Sequence, residues 1–216
     1  MFSRPEASHN EVLRQLRRAI IQGRLKPGEQ IRQEKLAQSF GLSRVPIREA
    51  LKTLAGERLV IHEPNRGFFV TTLSSEGLAE TYCARGLLET EILSSLKIDD
   101  IVQELDRLEA LYRAMEVARK QSAPDDFASA NRDFHFVILD SAVRPILTDL
   151  VRQLWDSSEA YRSYLFASTR LQKINAEHKL MIEAIRNRDL ISLGVLLDTH
   201  RSAAIMVMRE TLAESS

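Results

Sequence analysis

Helical spacing of apolar residues predicts three short helices near the start of the chain. The first is predicted over residues 9–22 and ends at "GRLKPGEQI", where two glycines and a proline break the pattern. The second is predicted over 33–40, and Gly41 after it can take the left-handed conformation that ends a helix. The third is predicted over about 44–57, along an apolar series of the same kind: Ile47, Leu51 and Leu54.

The start of the third helix is marked by two residues. Ser43 is a good N-cap, and Pro46 is tolerated because it falls in the first turn, where its missing N–H would have no helical partner. The second and third helices, joined by a tight turn, therefore predict a helix-turn-helix.

A change of pattern follows the third helix. Residues 59–61 and 68–71 are β-prone, and "PNRG" between them has turn chemistry, which predicts a hairpin. Three helices followed by a hairpin form a winged helix-turn-helix.

The remainder of the chain lacks strand-like alternation. Its amphipathic segments predict about six helices: 74–95, 98–121, 125–141, 144–166, 170–188 and 189–211. The predicted fold is therefore mainly α, with a winged helix-turn-helix over residues 1–73 and an all-α bundle over residues 74–216.

Composition and charge narrow the class of protein. Hydrophobic residues make up 44% and charged residues 28%, as in ordinary globular proteins, and no apolar run has the roughly 20 residues of a membrane span. The N-terminus lacks the apolar core of a signal peptide, and the single cysteine excludes an internal disulfide; both favour a cytoplasmic protein. The net charge is zero, yet residues 1–72 hold 13 Lys and Arg against 7 Asp and Glu, and the rest hold 17 against 23. The basic N-terminal part suits a polyanionic partner.

The outer face of the third helix carries cations four residues apart. Such a pattern fits a solvated face, but it also fits a surface that reads DNA, since the second helix of a helix-turn-helix enters the major groove. Arginine pairs bidentately with guanine, a hydroxyl at a helix N-terminus suits a phosphate, and an apolar side chain can touch a thymine methyl. The predicted DNA-binding residues are Ser43, Arg44, Val45, Pro46, Arg48 and Lys52 in the helix, with Arg66 and Gly67 at the wing tip.

The first 73 residues resemble a known family. "GRLKPGEQI", "LAQSFGLSR", the "P-x-R-E-A-L" element and "PNRGFFV" occur in order, and together they are similar to the DNA-binding domain of the GntR family of bacterial transcription regulators. The resemblance covers nearly all of residues 10–73 and implies binding to a double-stranded operator. One short recognition helix reads few base pairs, so a homodimer on a palindromic operator is expected.

Three histidines stand out in the second part. His135, His178 and His200 each lie among apolar residues at helical spacing, on three different predicted helices. A lone histidine in such a place is usually a hydrogen-bonded core residue. Three on inward faces also suit a transition-metal site in a bundle core, with Zn, Ni, Cu or Fe as the candidate ions.

This second part also resembles a family. "ETYCARGLLE", "ANRDFHFVIL", "AEHKLMIEAIRNRDL" and "LLDTHRSAAI" are similar to the FCD ligand-binding domain of the FadR-like branch, and six helices would place the chain in its VanR-like subgroup. The resemblance implies a divalent metal held by an aspartate and three histidines, which correspond here to position 131 with His135, His178 and His200. Position 131 is Asn, so the site loses one negative charge. A nitrogen-rich site favours Zn or Ni, and the alternative is a polar cavity whose histidines hydrogen-bond an organic effector directly.

Arg85 is the candidate for binding the effector. With Glu89 one turn later it can form an ordinary surface ion pair, or it can clamp a carboxylate in two-pronged geometry. Family effectors are often small organic acids, which fits the second interpretation. Further pocket candidates are Tyr82, Tyr161 and Arg162.

These features predict a DNA-binding transcription regulator whose operator affinity is set by a small organic acid bound near a metal. A metal-dependent hydrolase is the competing class, because three histidines with an open position can activate water. It would leave residues 10–73 unexplained. A DNA-binding protein without a ligand is the third hypothesis, and the inward histidines argue against it.

Overall fold

The computed structural model describes residues 5–21, 23–72, 74–166 and 171–214, and the side chains of 10–20, 23–72, 74–158 and 171–206. The chain divides into two compact units, and each is described by itself. The first comprises the residues before Ser74 together with 156–160, and the second comprises the rest.

The first unit is a winged helix-turn-helix, as predicted. Its helices are α1 (Pro5–Ile21), α2 (Gln33–Phe40) and α3 (Arg44–Gly56), and its strands are β1 (Gln30–Ile31), β2 (Val60–Glu63) and β3 (Gly67–Val70). The sheet is antiparallel in the order β1-β3-β2. The predicted hairpin is β2–β3; the two-residue strand β1 is an addition that was not predicted.

One hydrophobic core holds the first unit together. The helix α1 contributes Val12, Leu16 and Ile20, and α3 contributes Ile47, Leu51 and Leu54, all buried. The turn between α2 and α3 is fixed by Gly41, which has φ 65° and donates its N–H to the last carbonyls of α2. The predicted turn chemistry therefore places the outer face of α3 opposite to the core.

The second unit is all helical within the described residues. Its helices are α4 (Ser75–Ser94), α5 (Ile98–Val102), α6 (Leu105–Lys120), α7 (Pro124–Asp140), α8 (Pro145–Phe166), α9 (Leu171–Arg186) and α10 (Leu190–Glu214). In the part of the chain that the structure describes, no helix is long and apolar enough to cross a membrane.

The segment predicted as one helix over 98–121 is two helices. At the break, the N–H of Glu104 donates to the carbonyl of Ile101, three residues back, so the chain turns more tightly than an α-helix. The short α5 is tied to the turn after α9 by the Arg188–Asp99 ion pair, a tertiary contact that no local pattern signals. Within the described residues the bundle thus has six long helices and one five-residue helix. The VanR-like subgroup, which rested on a count of six, stays a prediction.

Candidate functional site

The N-terminal end of α3 presents the residues predicted to bind DNA. Ser43 occupies the N-cap position in an extended conformation, but its side chain makes no capping hydrogen bond in the described structure. Its hydroxyl therefore lies at a helix N-terminus with its hydrogen-bonding capacity available, a favourable place for a phosphate oxygen. Pro46 stands in the first turn, as predicted.

The cations of α3 are exposed, and each has a carboxylate neighbour. Arg44 pairs with Glu34 of α2, Nε of Arg48 lies 3.8 Å from Glu49, and Nζ of Lys52 lies 3.0 Å from the same carboxylate. Exposed ion pairs of this kind contribute little to stability. The arginines can therefore exchange these partners for phosphates or base edges at small cost.

Val45 lies beside these cations and is 61% exposed, although it is apolar. The same helix buries Ile47, Leu51 and Leu54 completely. An exposed valine at the start of α3 gives that surface an apolar point, which is the type of group that can contact a thymine methyl.

The wing tip is built by two residues with positive φ. Asn65 has φ 62° and Gly67 has φ 96°, so the chain reverses tightly around Arg66. The Arg66 side chain is exposed, pairs with Glu63 and lies over the ring of Phe69 at 5.1 Å. Gln30 of β1 donates a 2.8 Å hydrogen bond to the Arg66 carbonyl, so β1 holds the tip.

In the second unit the three histidines lie together. One ring nitrogen from each of His135 (α7), His178 (α9) and His200 (α10) can be chosen so that all three lie within 4.8 Å of one another. The Nε2 atoms of His135 and His178 are 3.3 Å apart. His135 and His178 are buried and His200 is partly buried.

Burial sets the charge state of His178. Its complete burial, and next the neighbouring His200, hold the pKa of His178 well below its ordinary value. The ring is therefore neutral near pH 7. A neutral imidazole keeps one bare nitrogen, which is the form that ligates metals.

Two carboxylates and an amide support the histidine rings, and the sequence reasoning did not identify them. Nδ1 of His200 lies 2.7 Å from a carboxylate oxygen of Glu177, and Nδ1 of His178 lies 3.3 Å from Oδ1 of Asn175. Nδ2 of Asn175 in turn donates to Glu116 of α6 at 2.7 Å. Glu177 is thus a carboxylate that adjoins the histidine cluster through Nδ1 of His200.

Asn131 is 2% exposed, and its Oδ1 has no hydrogen-bond partner among the described residues. It lies on α7, one turn before His135. An unpaired buried carbonyl oxygen is costly, and an ion or ligand that accepts its lone pair would remove that cost. Asp133 is exposed on the same helix, as expected for a residue that does not replace Asn131.

The histidine cluster and Asn131 fit a divalent transition metal. Two nitrogens bound tetrahedrally to one zinc ion at about 2.0–2.1 Å lie about 3.3–3.4 Å apart, and the Nε2 atoms of His135 and His178 are 3.3 Å apart. Imidazole nitrogens suit Zn and Ni, whereas Mg and Ca require mostly oxygen ligands.

Arg85 forms an ion pair with Glu89, but the pair is buried and not on the helix surface. Nε and Nη2 of Arg85 donate to one oxygen of Glu89 at 3.1 and 2.9 Å, and Arg201 of α10 donates to the other oxygen at 2.7 Å. Burial alone raises the pKa of Glu89, but the two guanidinium groups outweigh it, so the pKa lies below its usual range. Nη1 of Arg85 has no hydrogen-bond partner within the described side chains.

Aromatic rings surround the Arg85 guanidinium. It lies 4.1 Å from the ring centre of Trp155 and 4.8 Å from that of Tyr82, which is buried. The Trp155 ring lies 5.3 Å from the ring of His135. Arg85 and Tyr82 therefore adjoin the histidine cluster through Trp155, whereas the side chains of Tyr161 and Arg162 lie outside the described residues.

Comparison with protein families gives two matches in chain order. Residues 9–70 match the model described as "Bacterial regulatory proteins, gntR family", and residues 80–203 match that of the FCD domain. Together the matches span both units.

Relatives are found over most of the chain. The uncharacterized HTH-type transcriptional regulator YdhC of Bacillus subtilis (strain 168) is 30% identical over 191 residues, 87% of this chain and 85% of its own length. The gluconate operon transcriptional repressor of the same organism is 29% identical over 188 residues, 82% of this chain and 75% of its own. Among solved structures, E. coli McbR/YncC has the same fold, with a TM-score of 0.79 and 22% identity over 98% of this chain and 99% of that one.

Proposed function

The chain belongs to the GntR family of bacterial regulatory proteins and carries an FCD domain, and we propose that a small organic acid, bound beside a divalent metal, controls its affinity for the operator. As a member of this family it is a DNA-binding transcription regulator and not an enzyme. In this proposal residues 1–73 bind the operator and residues 74–216 bind the metal and the acid. The single observation that carries the proposal is the convergence of three histidines, with the unpaired buried amide oxygen of Asn131 one turn before His135 on the same helix.

His135, His178 and His200 would hold the metal through ring nitrogens, and Asn131 would add its carbonyl oxygen. All four ligands are then neutral, which leaves the charge of the ion uncompensated and coordination positions open. Zn and Ni suit such a nitrogen-rich set best. The bound ion would attract and coordinate a carboxylate of the effector.

Arg85 would bind a carboxylate of the same effector. Glu89 occupies Nε and Nη2 on one side of the guanidinium, and Nη1 has no partner among the described side chains. Arg85 and Arg201 share the buried Glu89, and Arg201 also pairs with the exposed Asp198. The Tyr82 ring lies over the Arg85 guanidinium. One relative is the repressor of a gluconate operon, and gluconate is a carboxylic acid, the class that Arg85 suits.

DNA binding would use the outer face of α3 and the wing tip. Arg44 and Arg48 would reach base edges, Val45 a thymine methyl and Ser43 a phosphate, with Pro46 fixing the first turn. Lys52 would meet the backbone, and Arg66 with Gly67 would enter the adjacent minor groove. A single recognition helix reads few base pairs, so a homodimer on a palindromic operator is proposed.

The metal is tested on the full chain, stripped with EDTA and then supplied with Zn or Ni. We expect bound metal and a raised melting temperature in the wild type, because an ion that binds only the folded state stabilises it. His178→Ala should lose both effects. His62→Ala, at an exposed histidine of β2, should keep them. A wild type with no bound metal and no melting shift would refute the metal and leave the histidines as walls of an effector pocket.

A further inference from the structure

We infer that Glu116 and Asn175 are positioning residues that fix the tautomer of His178, so that its Nε2 is bare and directed at the other two histidines before any ion arrives. The functional role of this tautomer, to prepare a metal ligand, rests on the proposed metal site. The arrangement of hydrogen bonds that carries it exists in the metal-free protein and can be tested there.

The first step is the orientation of the Asn175 amide. Its Nδ2 lies 2.7 Å from Oε1 of Glu116, and a carboxylate can only accept, so the amide must present its NH₂ group to Glu116. Arg119 holds Glu116 in place, donating from Nε at 3.2 Å and from Nη2 at 3.1 Å. These bonds from Arg119, and next that from Asn175, lower the pKa of Glu116, so it stays an acceptor near neutral pH.

The orientation of the Asn175 amide determines which nitrogen of His178 carries the proton. With its NH₂ group on Glu116, Asn175 must present Oδ1 to His178, whose Nδ1 lies 3.3 Å away. An amide oxygen cannot donate, so Nδ1 of His178 carries the proton. A neutral imidazole has only one N–H, and Nε2 of His178 is therefore bare where it faces Nε2 of His135 at 3.3 Å.

In His200, too, the partner of Nδ1 is an acceptor, here the carboxylate of Glu177. Its Nδ1 donates to Glu177 at 2.7 Å, which leaves Nε2 bare in the neutral ring. In two of the three histidines the partner of Nδ1 therefore determines which ring nitrogen is bare in the neutral ring. His135 is then the histidine that must donate to Nε2 of His178 when no ion is bound.

The chain offers a matched control on the same two helices. Glu109, two turns before Glu116 on α6, also reaches α9, where Arg186 donates to it at 2.5 Å. It does not belong to the Glu116–Asn175–His178 series. Glu109→Gln therefore removes an α6–α9 contact of similar kind without changing the acceptor for Asn175.

The experiment uses the full chain with ¹⁵N-labelled histidine, stripped of metal, at pH 7.5. Long-range ¹H–¹⁵N spectra report which nitrogen of His178 carries the proton. We expect the Nδ1–H tautomer in the wild type and in Glu109→Gln. In Glu116→Gln the new amide can donate, so Asn175 can turn over and a fraction of His178 should change to Nε2–H. Asn175→Leu removes the acceptor altogether and should give a larger fraction.

Titration of the same proteins with Zn alone measures the consequence. Loss of a partner that orients a metal ligand typically costs about 10- to 100-fold in affinity, so Glu116→Gln and Asn175→Leu should bind Zn that much more weakly than Glu109→Gln. A wild-type His178 found as Nε2–H would overturn the inference, as would a Glu116→Gln protein with wild-type tautomer and affinity. If the wild type binds no Zn but His178 is the Nδ1–H tautomer, the proposed metal site is refuted and the inference about the tautomer stands. The two results are separate because the tautomer is measured in the metal-free protein.

Discussion

Replacing Asn131 with Asp should destabilise the protein when metal is absent, but should not destabilise it when Zn is bound. The residue is 2% exposed, and its oxygen has no partner among the described residues. In the metal-free protein a carboxylate there is buried without a counter-charge, which costs about 3–5 kcal/mol when it stays ionised. A protein of this size loses about 2–4 °C in melting temperature per kcal/mol, so a fall of roughly 6–20 °C is expected.

With Zn present the same carboxylate gains an ion pair with the metal. At the effective dielectric constant of about 20 that suits protein sites, one pair of unit charges at 4 Å gains about 4 kcal/mol, and a divalent ion at bonding distance gains more. The desolvation of the carboxylate offsets part of this. To offset the roughly 3–5 kcal/mol lost without metal, Asn131→Asp should bind Zn roughly 10²- to 4 × 10³-fold more tightly than the wild type, since about 1.4 kcal/mol is tenfold. Its melting temperature should then meet or exceed that of the wild type at saturating Zn.

Differential scanning fluorimetry with and without Zn, together with calorimetric titration, measures both quantities. Asn187→Asp is the control, because it makes the same substitution at an exposed position and should change neither. If Asn131→Asp were as stable as the wild type without metal, or bound Zn no more tightly, the oxygen of residue 131 would not face the ion.

Three further predictions address DNA, effector and pH. Arg44→Ala should weaken operator binding by about 1–3 kcal/mol per half-site in fluorescence anisotropy at fixed salt, whereas Arg113→Ala, an exposed arginine of α6, should bind as the wild type does; equal binding by Arg44→Ala would remove α3 from the base contacts. Arg85→Ala should lower the affinity for anionic metabolites such as gluconate in calorimetry and leave Zn content unchanged; unchanged affinity would make Arg85 purely structural. Because the pKa of His178 is lowered on folding, the unfolded chain binds more protons below about pH 6.5, so metal-free stability should be full above that pH and fall below it. Urea unfolding at pH 7.5 and 5.5 measures this, and His178→Gln should show a smaller fall if the assignment is right.

The sequence predicts local features well where one residue type has a strong conformational preference. Gly41, Ser43 and Pro46 mark the boundary between α2 and α3, and the observed helices begin and end there. The strand β1 has only two residues, too few to show alternation. The break between α5 and α6 contains neither glycine nor proline, and a tertiary ion pair accompanies it.

The same contrast holds for the candidate site. Helical spacing predicts three histidines on inward faces, and the family resemblance adds position 131. Most residues that orient the rings were missed because their bonds join different helices: Glu116 of α6 and Asn175 of α9 are 59 residues apart, and Glu177 of α9 and His200 of α10 are 23 apart. The one local signal was that Asn175 precedes His178 by three residues, which places both on one face of α9.

Charge explains why an acid would be the natural effector of such a site. The proposed metal ligands are all neutral, so the first coordination shell would not compensate the double charge of the ion. Glu177 lies one shell further out, against Nδ1 of His200. In the neighbouring region Arg85 and Arg201 share the buried Glu89, while Asp198 on the outer side of Arg201 is exposed to solvent. A small molecule with one carboxylate for the ion and another oxyanion for Arg85 would compensate the charge of the ion and give Nη1 of Arg85 a hydrogen-bond partner. A neutral ligand would leave the charge of the ion uncompensated in a buried site, and this cost is the physical basis for selecting an organic acid.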